Sequence, residues 1–239
     1  MNLANMEHLR VSSFCPARLA MSFPHGKTFS DHFLTRGSNI LGLLFDWGMN
    51  PASNELFTDA HTTYSFTGET VTDAELTAIY DLAKFAPTPM NSQALRVHFV
   101  RTLEGKERLL PLLDEGNRVK SANASAVAIL AFDTDFHELL PEHFPQVPNA
   151  RDIHQDPDKR FSSARDIAIL QAGYFILAVR AAGLDAGPMA GFDRAGVDAE
   201  FFSGSSWRSL YLVNIGHSDP QGQRPRNPRL SAERAIGWS

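Results

Sequence analysis

Ala126-Val127-Ala128-Ile129-Leu130-Ala131-Phe132 is apolar at every position, and this run constrains the fold more than any other stretch. A strand with one wet face alternates apolar and polar residues. A run without alternation has to be covered on both faces, so this segment predicts a central strand in a sheet with helices on each side. Val97-His98-Phe99-Val100 and the stretch from Leu210 to Gly216 also have strand character. Thr72-Asp73-Ala74-Glu75 carries a capping-box signature, and Leu76, Ile79, Leu82 and Ala83 follow at helical spacing. That helix should run to Phe85, stopped by Pro87 and Pro89. A short charged helix is expected over 104–113 and the strongest helix over 166–182. Between them, residues 136–163 are rich in Pro, His, Asp and Gln, which predicts a long excursion or lid whose His137, His143 and His154 are solvated.

Composition narrows the class. A chain of 239 residues with 43% hydrophobic content suits one large domain. Lysine plus arginine number 22 against 27 aspartates and glutamates, a net charge of -5 that gives no electrostatic case for nucleic acid. The single cysteine, Cys15, leaves no disulfide framework or cysteine metal cluster and points to a reducing, cytoplasmic setting. No apolar run approaches the roughly 18–20 residues of a membrane span, so no membrane association is expected. Residues 1–50 read as an N-terminal extension with one apolar patch at Ile40–Phe45. It is expected to be a translated stretch ahead of a start at Met49, a flexible arm or a weak targeting segment, with the folded domain over 51–239.

The chemistry narrows by elimination. There is no phosphate loop, no GxGxxG after a strand, no His-Glu-x-x-His and no Gly-x-Ser-x-Gly. The nine histidines lack helical pairing, so no metal is expected. Four constellations remain. Ala86-Pro87-Thr88-Pro89-Met90-Asn91-Ser92-Gln93 presents hydroxyl and amide groups, although any helix-to-strand connection does the same. Gly116-Asn117-Arg118-Val119-Lys120 sets an amide and an ammonium on one helical face, as a solvated helix end also would. Gly183 to Asp193 sets Gly187 and Gly191 around Pro188 and Ala190, a loop suited to close backbone approach or a plain helix stop and turn. The tail carries Arg224, Arg226, Arg229 and Arg234 among prolines, either guanidinium forks for a phosphate or a solubilising terminus.

Taken in order, Asn91-x-Gln93 after Ala-Pro-Thr-Pro, Asn117-x-x-Lys120, Gly187-Pro188-Met189-Ala190-Gly191-Phe192-Asp193, Asn214-Ile215-Gly216 and Pro225-Arg226-Asn227-Pro228-Arg229-Leu230-Ser231 resemble the nitroreductase family of FMN enzymes. The resemblance covers about residues 55–235 and is nearest to the malonic semialdehyde reductase branch. It implies an α+β sandwich with a mixed sheet flanked by helices, assembled as an intertwined homodimer with FMN at the interface and the tail reaching across its partner. Carried over by position, Asn117 would bond the pyrimidine edge of the flavin and Lys120 would sit near N1 and O2, tuning its potential. Pro188, Ala190 and Gly191 would line it, with the Ala190 amide at N5. Pro87, Thr88 and Asn91, with Gln93 of the same motif, would come from the partner. Arg226 and Arg229 would bind the phosphate.

One position departs from the family pattern. Where that branch keeps an arginine after Asp-Ala, this chain has His61, followed by Thr63 and Ser65, whose hydroxyls are candidate phosphate donors. A permanently charged guanidinium is replaced by an imidazole. The implied activity is a ping-pong NADH- or NADPH-dependent reduction of a small acceptor, malonic semialdehyde to 3-hydroxypropanoate, with Arg96, Arg151, Arg160 and Arg165 as candidates for the acceptor carboxylate. The alternatives are a broad-specificity nitroaromatic or quinone reductase and a flavin-binding protein without turnover.

Overall fold

The computed structural model describes residues 54–239. The expected extension over residues 1–50, with its Ile40–Phe45 patch and Cys15, lies outside the described residues.

Helix α1 spans Asp73–Ala83. Its start follows from the capping box: the Glu75 N–H donates to the Thr72 hydroxyl at 3.3 Å, and the Thr72 N–H donates to the Glu75 carboxylate at 2.7 Å. Such a cap contributes about 1 kcal/mol. Strand β1 (Leu95–Val100), helix α2 (Leu103–Leu109), helix α3 (Glu115–Asn123) and strand β2 (Ala126–Asp133) follow. After the short α4 (Leu140–His143) come α5 (Pro157–Ala181), β3 (Asp185–Met189), α6 (Arg194–Phe201), β4 (Trp207–Gly216) and a final turn, α7 (Ala232–Ala235).

The strands form one sheet in the order β1-β2-β4-β3. The resemblance implied a mixed sheet, but all three pairings are antiparallel, and no parallel strand occurs among the described residues. The unbroken apolar run of β2 has the cause expected of it. Ala126, Ala128, Leu130 and Phe132 face a layer containing Leu76 and Ile79 of α1 and Phe175 and Val179 of α5. Val127, Ile129 and Ala131 face the opposite layer, with Leu109, Leu113, Val197 and Phe202. Each large side chain buried in this way contributes about 1.5–3 kcal/mol.

Three expectations need correction. The long helix begins at Pro157 rather than 166, because Asp156 caps it, accepting from the N–H groups of Asp158 at 3.1 Å and Lys159 at 3.2 Å. Its first two turns hold no fully buried residue, only Phe161 packed edge-on against Phe132, so apolar spacing alone could not reveal them. The excursion is not a solvated lid, since Phe136, Leu140 and Ala150 are fully buried and His137 is 7% exposed. The glycine segment is a strand from Asp185 to Met189 rather than a loop. Gly187 is small because Thr63 runs against it: a Cβ there would lie 2.7 Å from the Thr63 carbonyl oxygen. The Thr63 N–H donates to the Ala186 carbonyl at 3.0 Å, so the segment preceding α1 straps the β3 edge of the sheet.

Candidate functional site

Strap, tail and the end of α5 meet beside β3 in a crevice of about 580 Å3. Arg180, Arg224, Arg226, Arg229 and His61 line it, and no carboxylate among the described residues does. Thr62 and Tyr64 face the crevice with His61, while Thr63 is 2% exposed and the Ser65 hydroxyl donates to Asp219 Oδ2 at 3.3 Å.

Arg226 draws the tail onto the strap. Its Nη2 donates to the carbonyls of Thr58 at 2.7 Å and Phe57 at 3.3 Å, and also to that of Ala60. Arg180 donates from Nη1 to the Leu56 carbonyl at 3.1 Å. Its Nε is buried without a partner.

Tyr64 joins this crevice to α3. The Arg224 guanidinium lies 4.4 Å from the centre of its ring and the Lys120 ammonium 5.2 Å. Cations at such distances from a ring gain about 0.5–2 kcal/mol. Burial, and secondarily Arg224, push the Lys120 ammonium below the ordinary lysine value. One turn earlier on α3, Asn117 donates from Nδ2 to the Gly191 carbonyl at 2.8 Å. A Cβ at Gly191 would lie 2.8 Å from that same Nδ2 and run into Asp114 Oδ2, so glycine is what lets the chain after β3 close on α3. Ala190 is exposed beside it and Pro188 is half-buried.

The second group of expected residues lies elsewhere. Pro87, Thr88, Asn91 and Gln93 form the turn into β1, the opposite edge strand from β3. Three strand spacings of about 4.8 Å separate those edges. Met90, Asn91 and Gln93 take φ of 51°, 50° and 47°, a region that costs non-glycine residues about 1–2 kcal/mol each. The Gln93 carbonyl is held by Arg96 Nη1 at 2.7 Å, and Arg96 Nη2 bonds Asp133 at 2.7 Å. Asn91 Nδ2 donates to the His143 carbonyl at 3.0 Å.

Sequence reasoning missed Tyr64 and Arg180 and left Arg224 unassigned. The signal for Arg180 was present: it is the one charged residue in the last four turns of α5. Of the four arginines considered for an acceptor carboxylate, Arg96 and Arg160 are committed and Arg151 and Arg165 form exposed pairs. Arg96 pairs with Asp133, Arg151 with Glu138 at 2.9 Å and Arg165 with Asp166 at 3.9 Å, while Arg160 donates to the Thr134 and His154 carbonyls. A further cleft of about 520 Å3 holds Arg101 and Lys106. There the Lys106 ammonium bonds the Ala122 carbonyl at 3.1 Å and so closes the end of α3.

An antiparallel sheet between two helical layers, with a cationic crevice where strap and tail cross its edge strand, defines a nitroreductase-like α+β fold. The chain belongs to the nitroreductase family, whose sequence profile matches residues 58–217. It is 54% identical over 189 residues to a Streptomyces coelicolor protein named, as a provisional assignment, NADH dehydrogenase/NAD(P)H nitroreductase, covering 79% of this chain and 94% of that one. Among solved structures it resembles a provisionally assigned nitroreductase of Exiguobacterium sibiricum in complex with FMN, with a TM-score of 0.70 at 21% identity over 77% of this chain and 96% of that one. It also resembles a provisionally assigned NAD(P)H:FMN oxidoreductase of Staphylococcus epidermidis, with a TM-score of 0.69 at 18% identity over 78% of this chain and 95% of that one. Among the described residues, no helix is long and apolar enough to cross a membrane.

The crevice fits a phosphate-bearing cofactor. Four guanidiniums and an imidazole without a carboxylate form a donor set for an anion. The orphaned Arg180 Nε is a donor without an acceptor.

Proposed function

We propose that this protein is a homodimeric FMN-dependent NAD(P)H oxidoreductase that reduces malonic semialdehyde to 3-hydroxypropanoate in a reducing, cytoplasmic compartment. Family membership supplies the cofactor and the reaction class: the chain is an FMN-dependent NAD(P)H oxidoreductase. The observation that carries the site assignment is the carboxylate-free cationic crevice joined through Tyr64 to Lys120. When bound, FMN accepts a hydride from a reduced nicotinamide and passes it to an acceptor.

The chain's own residues divide the remaining work. Arg226, Arg229 and His61 hold the phosphate. Asn117 and Gly191, already bonded to each other, form the wall for the pyrimidine edge. Lys120 supplies positive charge there, where electron gain places negative charge, and a fixed cation favours the reduced state. Ala190, which is exposed, and Pro188 would line the ring. No side chain is needed as a nucleophile, and water can deliver the proton to the acceptor oxygen.

Two features support the homodimer. Pro87, Thr88, Asn91 and Gln93 lie at the edge of the sheet away from the crevice, the placement expected of residues that complete the site of a second copy. The tail exposes Leu230 at 61%, Ile236 at 49% and Trp238 at 90%, an apolar load suited to a neighbouring subunit. Light scattering of the full chain and of a chain ending at Gly222 tests this, with the dimer expected only for the former.

Malonic semialdehyde rests on the ordered motifs. A nitroaromatic or quinone acceptor has one observation in its favour, namely that Arg96 is paired with Asp133 and Arg160 is bonded to backbone carbonyls, so neither is free for a carboxylate. An anaerobic absorbance titration separates the two. Protein loaded with FMN should bleach with NADH or NADPH and regain its colour with malonic semialdehyde. Recovery with nitroaromatics or quinones alone would establish the second reading.

A further inference from the structure

We propose that Arg180 is a phosphate-binding residue of this protein, supplying from α5 the permanent positive charge that His61 does not. The proposal rests on the FMN reading above and adds a residue that the family motifs do not contain.

Placement is the first argument. Arg180 lies in the last turn of the 25-residue helix α5, which is anchored by Phe175, Ala178 and Val179, at 0%, 4% and 0% exposure. Its guanidinium is thus carried by the most firmly packed helix of the domain. Arg224, Arg226 and Arg229 instead belong to a tail without regular structure. A site built on a rigid element keeps its geometry when a ligand arrives.

The second argument is unsatisfied chemistry. Arg180 makes one hydrogen bond, to the Leu56 carbonyl, and forms no ion pair among the described residues. Its Nε is buried without an acceptor. Asp185 is the carboxylate that acts on it, but an Asp185 oxygen already accepts the Ser218 N–H at 2.9 Å. Burial first, and the Arg226 guanidinium second, disfavour the charged form of Arg180. Two like charges sharing a partly buried crevice are costly until an anion joins them.

Charge count is the third argument. Arg226 is already committed to the carbonyls of Thr58 and Phe57, so its fork organises the strap as well as facing the crevice. A phosphomonoester near neutrality carries close to two negative charges and three acceptor oxygens. Arg180 lines the crevice from the end of α5 and offers it a planar fork. Phosphate between the two guanidiniums would neutralise both and give the Arg180 fork, of which only Nη1 is bonded, a second acceptor.

The test is fluorescence titration of cofactor-free protein with FMN and with riboflavin, which lacks only the phosphate. Wild type, Arg180→Gln and Arg180→Lys are compared, with thermal melts in inorganic phosphate run alongside. For Arg180→Gln the FMN Kd is expected to rise at least about tenfold, the loss of one charge-assisted hydrogen bond, with riboflavin affinity unchanged. Arg180→Lys should recover part of the loss, and inorganic phosphate should raise the Tm of wild type more than that of Arg180→Gln. Equal weakening of both flavins, or an unchanged FMN Kd, overturns the proposal. If wild type binds neither flavin, the FMN reading fails, and the melts still decide about Arg180: a phosphate-induced Tm rise that is the same in wild type and Arg180→Gln removes it from the site.

Discussion

The Arg226 guanidinium donates to the Thr58 carbonyl at 2.7 Å across 168 residues of sequence. This contact closes the crevice, because it holds the arginine-bearing tail against the strap that carries His61. It also makes Arg226 a structural as well as an anion-facing residue.

Arg226→Gln should therefore loosen the strap and weaken FMN retention together. The bonds are charge-assisted but exposed, so the stability loss is expected at about 1 kcal/mol. That corresponds to a Tm drop of about 2–4 °C for a domain of this size. Calorimetry and limited proteolysis around residues 54–60 check it; an unchanged cleavage rate would deny the strap role.

His61→Arg should tighten FMN binding. His61 lines the crevice beside the arginines, and the substitution restores a permanent charge with a planar fork. A gain of about tenfold is expected. Fluorescence titration at neutral pH is the measurement, and the absence of any gain would reject the idea.

Gly187→Ala should destabilise the domain by about 1–3 kcal/mol. The added Cβ would stand 2.7 Å from the Thr63 carbonyl oxygen and 3.3 Å from Asn214 Cβ, and both opposing atoms belong to packed backbone or core. Gly173→Ala is the control. Nothing lies within 4 Å of its Cβ position in α5, so it should stabilise by about 0.5–1 kcal/mol. Urea unfolding of both variants gives the comparison.

Stability should fall on mild acidification through His154. Burial, then His137, then Arg160 hold its imidazole below the ordinary histidine value, and its Nε2 is buried without a partner. The unfolded chain takes up this proton near pH 6.5, whereas the folded chain does so only at lower pH. Between those values the unfolded state binds more protons, so stability declines as pH falls. Thermal melts from pH 7 downwards should show this decline, and His154→Gln should flatten it.

Much of the fold is legible in local patterns. The capping box at Thr72 and Glu75 is satisfied within three residues, so the sequence alone announces the start of α1. The doubly buried β2 is announced by its lack of alternation. The signals that misled are those whose cause is distant. Asp185 to Met189 read as a loop because Gly187 and Pro188 are poor strand residues, yet pairing with β4 and the close passage of Thr63 make it an edge strand. The first turns of α5 hold no fully buried side chain and are set by the Asp156 cap.

Sequence by itself determined the two helical layers, the central strand and the residue types able to hold a phosphate, because helix caps and burial patterns act over a few residues. Tertiary structure alone decided which charges share a crevice. His61, Arg180 and Arg226 come from a strap, a helix end and a tail, and they meet because the strap pairs with β3 and the tail bonds the strap. The same long-range pairing sends Pro87, Thr88, Asn91 and Gln93 to the other edge of the sheet. Coulomb attraction and repulsion depend on distance in space, and for these residues the path of the chain around the sheet sets that distance.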